Sequence, residues 1–351
     1  MRRFLGNDAN ALIAGFLVSL IVFALWTYGV DKPLTSVNGD PRSTLADLVY
    51  GRAHNPFVQR MLVPAITRAA MASLPATTNQ WLNETLSRFP RAQRALDLWG
   101  WDDRYLAEHL VAFSIAFLSL VLFVPVFRSM VEALYITEGW VSAAVACASL
   151  LFLPPFFLAG THYVYDFPAM LFFTTGIVLL LRSQWKWYYA VFALGCLNKE
   201  TMVFLLVPFL LITWDRLSRR ALAAHAVAHL GIFALVKSAL MVAFAANPGG
   251  TVEFHFWTNL HDLLMPYTMT AAVIAFLALF LLLFDLRNKP PALRRAAWAG
   301  VPFLIVTLCF GLLAEVRVFL EVFPVFFLLI SHTVLFTFGR IPFALRAEAR
   351  V

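Results

Sequence analysis

Long, nearly uninterrupted apolar runs alternate with polar breaks along this chain. Windows of about 20 apolar residues, enough to cross a bilayer as a helix, fall near 9–29, 106–127, 140–159, 166–182, 222–246, 269–287, 296–313 and 318–338. A further apolar stretch, 187–214, is interrupted by Asn198, Lys199 and Glu200 in "CLNKETMVFL". As one helix it would rise about 40 Å and carry "DRLSRR" across the membrane from Arg182 and Lys186. As two short helices it returns to the side it left.

The placement of Lys and Arg decides between these, because short cytoplasmic loops collect basic residues and short outside loops lack them. With two short helices, Arg2, Arg3, Arg128, Arg182, Lys186, Arg216, Arg219, Arg220, Arg287, Lys289, Arg294, Arg295, Arg340, Arg346 and Arg350 all fall on one side. The opposite short loops, 160–166 and 247–268, contain neither Lys nor Arg. The predicted architecture is an all-α polytopic membrane protein of about ten transmembrane helices, two of them short and broken, with both termini cytoplasmic. It forms one domain over 1–351, with a long first extracytoplasmic loop at 30–105 and a basic tail at 339–351.

Composition agrees: 61% of residues are hydrophobic, 13% are charged, and mean hydropathy is +0.77, outside the range of soluble domains. The net charge of +7 reflects residues scattered between spans rather than a basic stripe, so no nucleic-acid partner is expected. Cys147, Cys196 and Cys309 lie in apolar runs at unrelated spacings and form neither a disulfide framework nor a zinc pattern. "MRRF" and the apolar run after it resemble a signal peptide, but the run is about 20 residues long and no small-x-small cleavage site follows. It reads as the first span.

Each short helix of the broken pair reaches only about 17 to 20 Å, so "NKET" turns over inside the membrane. Polar backbone survives at that depth only against protein or a water-filled cavity, which implies an outward-open cavity with Lys199 on its floor. The remaining polar residues gather on the same side: Asp31, Asp40 and Asp47 of the long loop, His162 and Asp166, Glu200, His255, His261, Asp262, and "AEVR" ending at Arg317. Polar groups converging on a membrane cavity are the default candidate site.

Each also has a structural reading. Asp166 and Asn198 are candidate helix caps, and Arg317 and Glu321 have the i,i+4 spacing of an ion pair. Asp40 is placed to brace the "NGDP" turn. Lys237 is expected to pair within the bundle, and His255 and His261 to sit beside an aromatic belt. "NET" at Asn83 is a weak glycosylation sequon and is discounted. Within the long loop, 55–74 reads as an interfacial helix with Phe57, Met61, Ile66, Ala69 and Ala70 near one face and Arg60 and Arg68 off it; 84–99 is a second.

"YDFPAMLFFTTGIVLLLR" and "FALGCLNKETMVFLLVPFLLI", together with "NPFVQRMLVP" and "AEVRVFLEVFP", resemble the GT-C superfamily of membrane glycosyltransferases. The likeness is to the dolichyl-phosphate-mannose-protein mannosyltransferase-like and aminoarabinose-transferase-like branch. It covers most of the chain in layout and is motif-specific in the central part. It departs in the first loop, where the family often has an adjacent acidic pair and here Pro41 follows Asp40, leaving Asp31, Asp40 and Asp47 as competitors for the catalytic position.

The resemblance implies a transferase that moves a hexosyl or pentosyl group, usually with inversion, from a polyprenyl-phosphate-linked donor. The acceptor is an unknown lipid, glycan or protein at the extracytoplasmic face of a bacterial inner membrane. Asp40 is then the base, and Asp166 orients the acceptor or acts as alternate base. Lys199 and Arg317 hold the lipid phosphate, Glu200 positions Lys199, and Arg60 and His162 join the substrate-binding set. The sequence calls for no cofactor and leaves a divalent metal open. A transporter or flippase of a lipid-linked or anionic substrate would also use broken helices around membrane charges, and a non-enzymatic assembly subunit is the third class. No obvious inverted repeat is present, which counts against the transporter.

Overall fold

The computed structural model describes residues 9–28, 40–99, 101–157, 162–250, 252–265 and 269–346. Arg2, Arg3, Asp31, part of the 160–166 loop and the tail beyond Arg346 lie outside the described residues. The first part of the chain forms α1 (Ala9–Tyr28), α2 (Leu45–Val49), α3 (Leu62–Ala72), α4 (Ala76–Ser87), α5 (Pro90–Trp99), α6 (Leu106–Leu134), α7 (Gly139–Leu151) and α8 (Asp166–Leu181). There follow α9 (Trp185–Asn198), α10 (Leu206–Thr213), α11 (Arg219–Ala243), α12 (Phe256–Leu264), α13 (Met269–Leu283), α14 (Pro291–Ala297), α15 (Gly300–Phe310) and α16 (Phe323–Ser331). Two-residue strands β1 (Tyr135–Ile136) and β2 (Ala344–Leu345) pair antiparallel.

Among the described residues, five helical stretches are long and apolar enough to cross a membrane: Ala9–Thr27, Asp103–Leu134, Gly139–Phe156, Arg219–Ala243 and Pro291–Phe310. The outer helices leave large apolar side chains uncovered, among them Leu235 (73% exposed), Val242 (78%) and Phe276 (72%). Such surfaces are stable where lipid is the solvent and are a liability in water. The core lies between α6 and α8, where Ala112, Ala116, Leu120, Phe123 and Phe127 are buried with Met170, Phe173 and Ile177.

The interrupted stretch is a hairpin. α9 ends at Asn198, Lys199 is extended (φ −158°, ψ 138°), and a 3-10 segment, Glu200–Leu205, leads into α10. Tyr188 donates to the Leu205 carbonyl at 3.4 Å, and the Trp185 and Phe209 rings are 5.7 Å apart, so the second arm runs back along the first. Gly195 permits the close approach: a Cβ there would lie 2.4 Å from Met202 Cε and 2.9 Å from Cγ.

A second group of basic residues lies at the end of the bundle away from Lys199. Arg128 bridges Glu132 at 2.8 Å, Arg182 lies within the field of the same Glu132, and Arg295 bridges Asp215 at 2.5 Å. The long first loop packs at the opposite end. Two expectations for it need correction. The helix at 55–74 is shorter, and α3 buries Val63, Thr67 and Met71 while Ile66 is 46% exposed, because the i,i+4 stripe of Val63, Thr67 and Met71 meets the protein. The helix at 84–99 is instead two, α4 and α5, separated at Pro90, whose ring cannot continue a helix but suits its first turn.

Candidate functional site

The break at Lys199 sends three adjacent side chains in three directions. Asn198 donates through Nδ2 to the Tyr165 carbonyl at 2.9 Å, tying the hairpin tip to the start of α8. The Lys199 ammonium lies 2.8 Å from Glu321 Oε1 and 3.4 Å from Asp166 Oδ1. Glu200 accepts from Arg60 Nη2 at 2.6 Å and Nε at 3.2 Å. Thr201 donates to Glu321 at 2.8 Å. Arg317 Nη1 lies 3.7 Å from the other Asp166 oxygen, and its Nη2 donates to Glu315. Two buried carboxylates, Asp166 and Glu321, thus underlie two buried cations, and a buried charge is tolerated when it is paired in this way.

Aromatic rings join the two arginines. Tyr163 and Tyr165 stack at 5.0 Å with planes 6° apart; Arg317 lies 4.4 Å over Tyr163 and Arg60 lies 4.9 Å over Tyr165. Arg60 also donates to the Tyr165 hydroxyl. The loop that brings Arg60 here is anchored at both ends. Met61 donates its N–H to the Leu197 carbonyl at 2.8 Å. Asn55 Nδ2 donates to Phe244 and Asn247 carbonyls, and Asn247 Nδ2 returns bonds to Gly51 and Ala53 carbonyls.

Above this floor lies a cavity of about 400 Å³. Its polar part is formed by Asp40, Arg42, Arg60, Lys199, Glu200, Thr201, Lys237, Glu253, His255, Glu315 and Arg317; Phe204, Phe233, Phe303, Val306 and Phe310 form an apolar wall. Asp40 caps the 3-10 turn Pro41–Ser43, accepting from the Arg42 amide at 2.9 Å, and grips the Arg42 guanidinium at 2.8 and 3.2 Å. Arg42 reaches on to Glu253 at 2.5 Å. Partial burial pushes the Asp40 carboxyl up, but Arg42 outweighs it and holds the group below the ordinary carboxylate range.

Asp40, Arg60, Lys199, Glu200 and Arg317 therefore converge, whereas Asp166 lies beneath Lys199 and Arg317 and does not line the cavity. His162 packs near Trp26 (5.3 Å) and Phe157 (6.2 Å), away from the lining. Asp47 is held by Thr44 at 2.7 Å and Arg52 at 3.2 Å and does not line it either.

Several structural expectations change. Glu200 serves Arg60 rather than Lys199. Arg317 and Glu321 are not the pair their spacing predicts, because Val316–Phe319 is a 3-10 turn, which lacks the α-helical register that aligns i and i+4. Asn198 closes α9 instead of capping the next segment, and Asp166 accepts backward from the Tyr163 N–H at 3.0 Å. His255 lines the cavity, and its neighbours Phe254 and Phe256 are in ring contact with each other and with Phe310 and Trp257. Asn83 donates to the Arg104 carbonyl at 2.7 Å and accepts from the Ala107 N–H at 2.8 Å, which commits the sequon's amide to capping α6. Lys237, expected to pair, has no ion pair or hydrogen bond among the described residues.

Arg42, Lys237, Glu253 and Glu315 are the charged lining residues that the sequence did not single out as site residues. For Lys237 a signal was present, since it is the only charged side chain of α11 after Arg220. Among the described residues, no group of three or more His, Cys, Asp or Glu is placed to hold a metal ion. The chain matches no family model, no curated protein and no solved structure.

Proposed function

We propose that this protein is an integral membrane glycosyltransferase that moves a sugar from a polyprenyl-phosphate-linked donor to an acceptor hydroxyl at the extracytoplasmic face. The observation that carries the reading is the cavity itself, in which clustered cations and carboxylates adjoin a phenylalanine-lined wall. An amphiphile with a charged, hydroxyl-rich head and an isoprenoid tail has this division. In this reading the fold has about ten spans, the site end faces outward, the basic end faces the cytoplasm, and the membrane is the bacterial inner membrane.

The acceptor hydroxyl attacks C1 of the sugar as the bond from C1 to the phosphate oxygen breaks, and the phosphate leaves with the electron pair. Asp40 takes the hydroxyl proton. Its depressed pKa keeps it ionised at neutral pH, and proton transfer to so weak a base accompanies bond formation to C1 rather than preceding it. Cations around the cavity stabilise the departing phosphate. Asp166 acts through Lys199 and Arg317, as a positioning residue beneath them. Direct displacement inverts C1.

A transporter would need a path through the layer beneath the cavity. That layer holds the buried ion pairs of Lys199 and Arg317 and, below them, fully buried Tyr188, Phe192 and Phe209, so the enzyme is the better supported reading. The test is lipid analysis of a deletion strain, with accumulation of one polyprenyl-phosphate sugar reversed by the wild-type chain and not by Asp40→Asn. An unchanged lipid-linked sugar pool, or equal complementation by both chains, contradicts it.

A further inference from the structure

Lys237 differs from every other cation of the cavity. Arg42 is bridged to Asp40 and Glu253, Arg60 to Glu200, Lys199 to Glu321 and Asp166, and Arg317 to Glu315 and Asp166. Lys237 projects from α11 about 9 Å before that helix ends, and among the described residues its ammonium meets no partner. Glu200 attracts it, but both Glu200 oxygens are already occupied by Arg60. A charge at membrane depth is costly unless it is paired or used. Phe233, one turn earlier on the same helix, lines the cavity with it, and Phe204 and Phe303 pack against each other at 4.8 Å in the same lining.

We propose that Lys237 is the anchoring counter-ion for the phosphate of a lipid ligand, with the first isoprenoid units lying along Phe204, Phe233 and Phe303. The inference rests on the reading of the cavity as a polyprenyl-phosphate site, and it moves the phosphate from the hairpin tip to the α11 side. Lys199 is poorly suited to that task, since two carboxylates already neutralise its ammonium. A phosphate oxygen at Lys237 supplies the pairing that the protein withholds. It also places the scissile C1–O bond within the charged part of the cavity while the chain stays on the apolar wall.

The test uses the full chain in nanodiscs and three probes: a long-chain polyprenyl monophosphate, the matching polyprenol, and inorganic phosphate. Lys237→Met is expected to weaken monophosphate binding about 10- to 100-fold, the loss of one charge-assisted hydrogen bond. It leaves polyprenol binding unchanged and does not lower the thermal midpoint of the ligand-free protein. Lys237→Arg restores part of the affinity, since it keeps the charge in a different shape. Wild-type affinity in Lys237→Met overturns the inference while leaving the donor reading intact. Equal loss of polyprenol overturns it as well, by exposing a packing role. Inorganic phosphate bound as tightly as the lipid, with the same dependence on Lys237, shows a free-anion site and overturns the lipid assignment. A wild-type chain that binds neither lipid above empty nanodiscs removes the donor reading and this inference together.

Discussion

The Lys199 ammonium lies 2.8 Å from Glu321 Oε1, with the two side chains 4% and 0% exposed. This contact ties the membrane hairpin to the segment leading into α16. Lys199→Met strands Glu321, whose Oε2 has no hydrogen-bond partner of its own, and breaking one side of a buried pair costs about 3–5 kcal/mol. Thermal midpoints in detergent are therefore expected to fall sharply for Lys199→Met and to recover largely in Lys199→Met/Glu321→Gln. Glu200→Gln should give no such recovery, although it is the adjacent carboxylate. Rescue by Glu200→Gln alone would contradict the pairing.

The hairpin depends on the absence of a side chain at Gly195. Gly195→Val is expected to destabilise by about 1–3 kcal/mol through overpacking, because even its Cβ would lie 2.4 Å from Met202 Cε. Met202→Ala in the same chain makes room and should recover part of the loss. Unfolding curves for the single and double variants check this; equal midpoints for Gly195→Val and wild type would mean that the two arms are not in contact.

Asp40 carries a pH signature. Burial raises its pKa and Arg42 lowers it more, so the ionised form that can accept a proton persists below the ordinary carboxylate range and is lost only as pH falls through the lowered pKa. Arg42→Gln removes the guanidinium's share of the lowering and leaves the burial and the backbone N–H bond. The acid limb of the transfer rate should therefore move to higher pH in Arg42→Gln, and Asp40→Asn should reduce the rate about 10²- to 10⁴-fold at all pH values. A limb that stays in place in Arg42→Gln assigns proton removal to another group.

Sidedness is tested with single cysteines in a chain whose Cys147, Cys196 and Cys309 are replaced by serine. Thr201→Cys lines the cavity and is expected to react with an impermeant thiol reagent added to intact cells. Ser218→Cys, exposed at the start of α11, should react only after permeabilisation. Labelling of Ser218→Cys in intact cells reverses the assignment of the two ends.

Much of this arrangement is legible in residue order alone. The polar triplet 198–200 inside an apolar run announces a break, and the basic clusters announce the hairpin, since both are consequences of excluding charge from lipid. Partners are another matter. Glu321 faces Lys199 only because a 3-10 turn replaces the α-helix at Val316–Phe319, and no periodicity in "AEVRVFLEVFP" distinguishes the two. Glu200 leaves its neighbour for Arg60, a residue of the distant first loop, through packing that sequence spacing does not encode. Lys237 is the opposite case, a lone charge plainly visible in α11 that meets no partner among the described residues. Asp31 lies outside the described residues, so the choice among the first-loop aspartates rests on Asp40 lining the cavity and Asp47 lying off it.

The central claim is that this cavity breaks the bond between a sugar and a polyprenyl phosphate. Its most direct test is turnover of a panel of radiolabelled polyprenyl-phosphate sugars in proteoliposomes supplied with envelope lipid, glycan and protein acceptors, following both acceptor-bound label and released polyprenyl phosphate. The account predicts release of polyprenyl phosphate in step with labelled acceptor for at least one donor, abolished by Asp40→Asn. Donor that crosses the bilayer intact without release, or release that is equal in wild type and Asp40→Asn, would contradict it.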